Sequence, residues 1–187
     1  QIPMAVVGIV MKFFQIVISI VVGMAAGCIP VVGFNMGAKN YVRVKTTFKK
    51  AAIAASVVTL LAFSVYQLFP RQITSIFGTG NELYFQFAEK YLRIYLLMVW
   101  TFGFQCTSIN YFTSIGQVRQ GIVLSLSRQG LFLIPLLLIL PLFFGLNGAL
   151  VAGPVADGLA ALLSIILVIH SFKKLRTAEL EETNQIS

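Results

Sequence analysis

Residues 51–69 read AAIAASVVTLLAFSVYQLF, a run without a single charged side chain. About 20 predominantly apolar residues are what an α-helix needs to cross the hydrocarbon core of a bilayer. Two lysines precede the run, and Pro70 follows it, where a proline cannot continue the hydrogen-bond pattern of a helix. The stretch therefore predicts a membrane-spanning helix that ends at about residue 69.

The rest of the chain shares this apolar character. Of its 187 residues, 58% are hydrophobic and 11% are charged, against roughly 45–50% and about 25% in ordinary soluble domains. The composition predicts an all-α integral membrane protein, because the apolar runs are continuous and do not alternate as the strands of a membrane barrel do. The net charge of +8 does not indicate nucleic-acid binding, since no basic soluble domain is present.

Working outward from residues 51–69, apolar runs predict five transmembrane helices. Asn81 is predicted to cap the helix that leads into the third, and GLNG at 145–148 is predicted to be a tight link between antiparallel neighbours. The polar end, 177–187, is expected to fray, which divides the chain into a membrane lobe, 1–176, and a polar cytoplasmic tail. The start at Gln1, without Met, suggests a fragment. The predicted spans are 4–34, 51–69, 91–115, 121–144 and 149–170.

Lys and Arg residues are distributed unevenly between the two sides of these spans. The excess of positive charge marks the cytoplasmic side of a membrane protein. We therefore expect a multi-pass protein of the plasma membrane, with lipid as a partner and a cytoplasmic C-terminus. On one side the loops carry Arg71, with Lys90 at the boundary of the third span, and on the other side they carry Lys39, Arg43, Lys45, Lys49, Lys50, Arg119, Lys173, Lys174 and Arg176.

Polar side chains inside the apolar runs are candidates for a substrate cavity. Lys12, Gln15 and Ser19 share one face of the first span at helical spacing. Two interpretations stay open: these residues line a water-filled cavity, or Lys12 reaches the interface while Gln15 bonds a neighbouring helix. In the third span, Gln105 and Ser108 lie at helical spacing with Thr101 and Phe112, and Met98, Trp100 and Phe104 are nearby. Either interhelical hydrogen bonds account for these polar groups, or the aromatic and Met-rich face mixed with amides binds varied apolar cations.

Two charged residues lie in or beside the last two spans. Asp157 follows Pro154 and is expected near a helix start, where it either caps backbone N–H groups or serves a substrate or an ion. Arg128 either anchors to lipid phosphate, which we favour, or pairs with a carboxylate. The chain has one histidine and no H-E-x-x-H, G-x-S-x-G or Walker pattern. We therefore expect neither an enzyme nor a metal site.

Small residues and prolines mark places where helices bend or pack closely. At the end of the first span, Pro30, Gly33 and Gly37 would loosen the helix, and Asn35 would satisfy the backbone groups that this frees. The glycines of this span, Gly23 and Gly27 included, would let neighbouring helices approach closely. Two further prolines, Pro135 and Pro154, lie within the last two spans.

Three stretches together resemble one family. PVVGFNMGAKN at 30–40, IGQVRQGIVLSLSRQGLFLIP at 115–135 and GLNGALVAGPVAD at 145–157 are similar, in this order, to segments of the multidrug and toxic compound extrusion (MATE) family. The resemblance covers about residues 4–175. It implies that the five spans are helices eight to twelve of a twelve-helix, two-lobe transporter, and that the N-terminal lobe of the same protein is a partner.

The resemblance also implies a function: efflux of small organic, often cationic, compounds in exchange for Na⁺ or H⁺ by alternating access. Leu150 stands where the family often has Trp, and residues 94–115 contain no acidic side chain. The coupling ion is therefore expected to bind mainly outside this chain, and no other cofactor is expected. Two alternatives remain open. One is a lipid-linked saccharide flippase of the same superfamily, with a more cationic cavity; the other is a non-transporting, five-helix interaction subunit.

Overall fold

Long apolar runs in a bilayer can satisfy their backbone hydrogen bonds internally only as helices. The computed structural model describes residues 2–75 and 82–186 and is helical there apart from short turns. The helices are α1 (Ile2–Gly37), α2 (Tyr41–Leu68), α3 (Pro70–Ser75), α4 (Glu82–Tyr95), a 3₁₀ turn (Val99–Thr101), α5 (Phe102–Ser114), α6 (Val118–Leu126), a π segment (Ser127–Leu133) and α7 (Ile134–Ile186).

Four stretches of these helices are long and apolar enough to cross a membrane. They correspond to the first, second, fourth and fifth predicted spans, so the all-α membrane fold class is confirmed. Asn81, the predicted cap ahead of the third span, lies outside the described residues. The four stretches are Met11–Gly37, Tyr41–Leu68, Val118–Gly145 and Asn147–Glu181.

The prediction of one continuous helix over 91–115 is wrong. Helix α4 ends at Tyr95, and α5 begins only at Phe102. Between them the backbone turns tightly, because Val99 N donates to Leu96 O and Thr101 N donates to Met98 O at 3.1 and 3.0 Å. Such three-residue spacing is the 3₁₀ pattern. The third span is therefore two helices joined at membrane depth.

Helix α2 begins ten residues earlier than its apolar run. Asn40 caps its start, with Oδ1 accepting from Arg43 N at 3.1 Å, and Lys39 adopts a left-handed φ of 57° just before it. Most of the basic residues predicted in a loop therefore lie on the first turns of α2. Lys and Arg are good helix formers, so their charge marks the membrane boundary and not the helix boundary.

The fourth and fifth spans form a hairpin. Gly145 interrupts α7 with φ 55° and ψ −139°, a conformation that glycine adopts without strain, which places the expected turn inside GLNG. At Gly148 an added Cβ would lie 2.3 Å from Leu140 O, so a larger residue would separate the two halves of the hairpin. The π segment ahead of α7 was not predicted.

Close packing of the helices depends on a few glycines. A Cβ on Gly103 would lie 2.4 Å from Ala55 O, so α5 packs directly on the backbone of α2. A Cβ on Gly33 would lie 3.6 Å from Ser114 O of α5, which is ordinary van der Waals contact. The expected role of the other α1 glycines is wrong within the described residues, because nothing lies within 4 Å of a Cβ built on Gly23, Gly27 or Gly37.

Aromatic side chains fill the core between α2, α5 and α7 on the side of the basic residues. Phe48 packs against Tyr111 and Phe172, with ring centroids 4.7 and 5.6 Å apart. The expected frayed tail is instead helical, since α7 continues to Ile186. One contact that holds it is the ion pair between Lys45 Nζ and Glu179 Oε2, 2.7 Å apart.

Candidate functional site

An ion pair joins the π segment to α7 at membrane depth. Arg128 Nε donates to Asp157 Oδ1 at 2.6 Å, and Arg128 Nη2 lies 3.5 Å from Asp157 Oδ2. The two side chains are only 23% and 12% exposed. Charged groups at this depth are costly unless they pair, and the planar guanidinium suits a carboxylate better than an ammonium does.

The pairing corrects two expectations. Arg128 does not anchor to lipid phosphate but pairs with a carboxylate, the alternative that the sequence left open. Asp157 lies twelve residues after the break at Gly145, well inside the second half of α7, so it does not cap the backbone N–H groups at the start of that half. The sequence could not show this contact, because the two residues come together only when the hairpin folds.

Neighbouring side chains hold the pair in position. The Arg128 guanidinium carbon lies 5.1 Å from the centroid of the Phe102 ring, a cation–π distance. Gln105 Nε2 donates to the carbonyl oxygen of Asp157 and to Thr101 Oγ1, both at 3.0 Å. The ion pair is thus tied to the 3₁₀ turn of the third span, and α5, the π segment and α7 form one polar centre.

The local sequence explains the π segment. Pro135 has no N–H, so the carbonyl four residues before it lacks its usual helical donor. A widened turn before such a proline is a common outcome, and π segments often occur at functional sites. The segment carries Arg128 and Gln129 side by side. The polar cluster SRQG ahead of an apolar run was therefore the signal in the sequence from which an irregular helical segment could have been predicted.

A pocket of about 240 Å³ opens beside the ion pair. It lies between α1, the 3₁₀ turn, the π segment and α7, and Gln15 reaches it from α1. A second, smaller pocket of about 160 Å³ adjoins Arg128 and Gln105 on the other side. Arg128 and Gln129 line both pockets. The larger one is also lined by Met11, Phe14, Ile18, Leu96, Val99, Leu133, Gly153, Ala156 and Asp157.

The structure brings some sequence candidates together and separates others. Gln15, Gln105, Arg128 and Asp157 meet at these pockets. Lys12 and Ser19 lie exposed on α1, and the Ser19 hydroxyl donates to Gln15 O at 2.9 Å.

Of the candidates in the third span, Ser108 is fully buried and donates to Phe104 O at 2.8 Å. Met98 is half-buried at the 3₁₀ turn. Trp100 and Phe104 line a separate groove between α2 and α7, away from the ion pair. The candidates of the third span therefore divide between the ion-pair side, which Gln105 faces, and the groove that Trp100 and Phe104 line.

The predicted bending residues remain inside continuous helices. Helix α1 passes through Pro30, and Asn35 Nδ2 donates to Val31 O at 2.8 Å. Pro154 is buried inside α7. Among the described residues no three His, Cys, Asp or Glu side chains lie close enough to hold a metal ion.

Comparison with known proteins matches this architecture. The sequence model of the MatE family matches residues 1–139. The chain is 24% identical over 161 residues to the multidrug export protein MepA of Staphylococcus haemolyticus (strain JCSC1435), covering 86% of this chain and 35% of that protein. A solved structure of the MATE multidrug transporter DinF-BH, in a ligand complex, has a TM-score of 0.82 at 33% identity, covering 88% and 37% of the two chains.

Two further structures show the same fold at 19% identity. One is an outward-facing MATE family multidrug resistance transporter of the MOP superfamily, with a TM-score of 0.83 over 92% of this chain and 39% of that one. The other is an inward-facing conformation, with a TM-score of 0.81 over 90% and 39%. The chain spans just over a third of the length of the relatives that it matches.

The fold defines a multi-pass helical membrane protein whose helices are arranged as in multidrug transporters. With the family model matching most of its length, the chain belongs to the MatE family.

Proposed function

We propose that this chain is part of a secondary antiporter that exports small organic, often cationic, compounds in exchange for Na⁺ or H⁺. The names of its relatives support this, since MepA is a multidrug export protein and DinF-BH is a multidrug transporter. The observation that carries the proposal is the Arg128–Asp157 pair beside a pocket at membrane depth. Ionisable groups there typically belong to substrate or ion pathways.

Alternating access is part of the same proposal. The fold resembles transporters in both an inward-facing and an outward-facing conformation. An ion pair between two helices can exchange partners as those helices move, and discontinuous helices commonly form the sites of transporters. The π segment and the 3₁₀ turn are two such discontinuities, and both adjoin the pocket.

An accumulation assay tests the export function. Cells that express the intact protein are loaded with each of a panel of cationic dyes, and retained dye is compared with that in cells lacking the gene. We expect the expressing cells to retain less dye, and Asp157→Asn to abolish the difference. Collapsing the Na⁺ gradient or the H⁺ gradient separately then identifies the coupling ion.

The double variant Arg128→Gln with Asp157→Asn is the matched control, because it removes both charges and leaves no unpaired one. If the double variant exports as the wild type does, the pair is structural and the site lies elsewhere. Equal dye retention with and without the gene across the whole panel would count against export itself.

Placement in the cell and in the whole protein is also proposed. The uneven distribution of Lys and Arg favours a plasma-membrane protein with a cytoplasmic C-terminus. The five predicted spans would be helices eight to twelve, with an N-terminal lobe as partner. Protease treatment of inverted vesicles checks the orientation: a tag placed after Ser187 should be cleaved only when the cytoplasmic face is outside.

The two alternatives are less well supported. A saccharide pyrophosphate would need a cationic cavity, but the charge of Arg128 is balanced by Asp157. In an interaction subunit, the polar face of α1 would be a protein contact. A cysteine at Gln15, in an intact protein from which Cys28, Cys106 and any other cysteine have been removed, separates these functions: labelling from water indicates a cavity, and protection indicates packing.

A further inference from the structure

The groove lined by Trp100 and Phe104 lies on the outer surface of the chain, apart from the ion pair and its two pockets. It is a groove of about 470 Å³ between α2, the start of α5 and α7. Ile53, Val57 and Leu60 of α2 form one wall, and Ile165 of α7 lies opposite. Among the described residues that line it, Lys49 alone is charged, and Lys49 stands at one end.

The position of Lys49 gives the depth of the groove in the membrane. The uncharged run 51–69 has the length of one bilayer crossing, so Lys49 lies at its boundary with the headgroups. The groove extends from there to Leu60. At 1.5 Å per residue this is roughly 17 Å, about half of the ~30 Å hydrocarbon thickness. The groove therefore spans one leaflet.

The two ends of the groove differ in charge and in the side chains that line them. Within the described ranges Lys49 has no acidic partner, whereas Lys45, one turn away, is paired with Glu179. At the deep end, Trp100 lines the groove with 44% of its surface exposed. A ligand for this shape has an anionic group at the membrane surface and an apolar chain about one leaflet long.

We propose that the groove binds an anionic phospholipid of the surrounding membrane, with one acyl chain along α2 and the phosphate beside the Lys49 ammonium. A transmembrane helix would be a poorer occupant, because it would pack along the whole of α2 and would gain nothing from a cation at one end. The groove stops at the bilayer midplane, where an acyl chain also ends. The binding is independent of export, so either can fail alone.

Trp100 reports on the occupant directly. It is the single tryptophan of the chain, and bromine atoms on an acyl chain quench tryptophan fluorescence on contact. The intact protein is reconstituted in phosphatidylcholine vesicles that contain a small, fixed fraction of brominated lipid. The bromine atoms are in the half of each acyl chain that is farther from the headgroup, which lies at the depth of Trp100. The brominated lipid is either phosphatidylglycerol or phosphatidylcholine. Subtracting the fluorescence of the Trp100→Phe variant removes the contribution of tryptophans elsewhere in the protein.

We expect brominated phosphatidylglycerol to quench Trp100 at about fivefold lower mole fraction than brominated phosphatidylcholine, which is the preference that one lysine near the surface gives. Lys49→Gln should remove this preference, and Lys49→Arg should keep it. Lys50→Gln is the matched control, because it removes the same charge one residue away and does not line the groove. It should leave the preference nearly unchanged.

Three results would overturn the proposal. Equal quenching by the two lipids would show that no anionic headgroup is selected, and an equal loss in Lys50→Gln would show that only the general surface charge acts. Absence of quenching by either lipid would show that protein covers the groove. Val57→Phe is a second variant that changes no charge; by narrowing the groove it should reduce quenching by both lipids.

Discussion

Within the described part of the chain, helices are broken at membrane depth in two places, and different polar groups stabilise the two breaks. At the 3₁₀ turn Val99–Thr101, neutral groups satisfy the backbone, with Thr59 Oγ1 donating to Trp100 O at 2.9 Å. At the π segment Ser127–Leu133, a neutral bond from Ser127 Oγ to Leu124 O at 2.9 Å is accompanied by the charged pair of Arg128 and Asp157. Neutral hydrogen bonds are sufficient to stabilise a broken helix, so the charges at the second break call for a functional explanation.

Gln105 connects the two breaks, because its amide donates both to Thr101 Oγ1 and to the carbonyl of Asp157. A change in structure at either break can therefore alter the hydrogen bonding at the other. The comparison predicts an order of effects: loss of one charge should be most damaging, and loss of one neutral hydrogen bond least.

The largest effect is expected for Asp157→Asn. It leaves the Arg128 guanidinium in the membrane without its counter-charge, and breaking such a pair costs about 3 kcal/mol in the free energy of unfolding. Unfolding of the detergent-solubilised protein in increasing dodecyl sulfate measures the loss. Adding Arg128→Gln should recover most of it. If the double variant is as unstable as the single one, the unpaired charge is not the cause.

The backbone contact at the start of α5, next to the 3₁₀ turn, should have the next largest effect. Gly103→Ala puts a Cβ 2.4 Å from Ala55 O, so α2 and α5 must separate, and overpacking of this kind costs about 2 kcal/mol. The same unfolding titration measures it. Gly23→Ala is the control, since nothing lies within 4 Å of its Cβ and alanine is the better helix former. Equal destabilisation by both substitutions would contradict the close approach at Gly103.

Apolarity alone predicted much of the fold. The run 51–69 and the other apolar runs predicted the all-α membrane fold class and four of the spans. They could do so because a backbone in lipid satisfies its hydrogen bonds in few ways other than as a helix. The break after Tyr95 was missed because the sequence stays apolar through LLMVWTFGF. Apolarity measures whether a segment enters the membrane, and it does not report how the helix is hydrogen-bonded there.

The site was predictable only in part. Arg128, Asp157, Gln15 and Gln105 were identified, because polar groups in apolar runs are conspicuous. Their arrangement was not, since the contact between Arg128 and Asp157 depends on how the hairpin at Gly145 packs. The aromatic candidates Trp100 and Phe104 lie on a different surface from Gln105, because consecutive helix residues such as Phe104 and Gln105 point about 100° apart.

A smaller effect is expected for Gln105→Leu. It removes the two hydrogen bonds that connect the breaks, and a polar contact between membrane helices contributes about 1 kcal/mol. The informative measurement is a double-mutant cycle with Asp157→Asn. If Gln105 positions the ion pair, the two losses should not be additive. Additive losses would show that the two breaks are independent and that Gln105 does not connect them.

The smallest effect is expected for Thr59→Val. The substitution keeps the shape of the side chain and removes the hydroxyl that donates to Trp100 O, for which measurements in membrane proteins suggest about 0.6 kcal/mol. Thr46→Val is the matched control, because the Thr46 hydroxyl donates only to Val42 O of its own helix. A loss at Thr59 as large as that of Asp157→Asn would mean that the neutral break is as critical as the charged one. The ion pair would then need no functional explanation beyond stability.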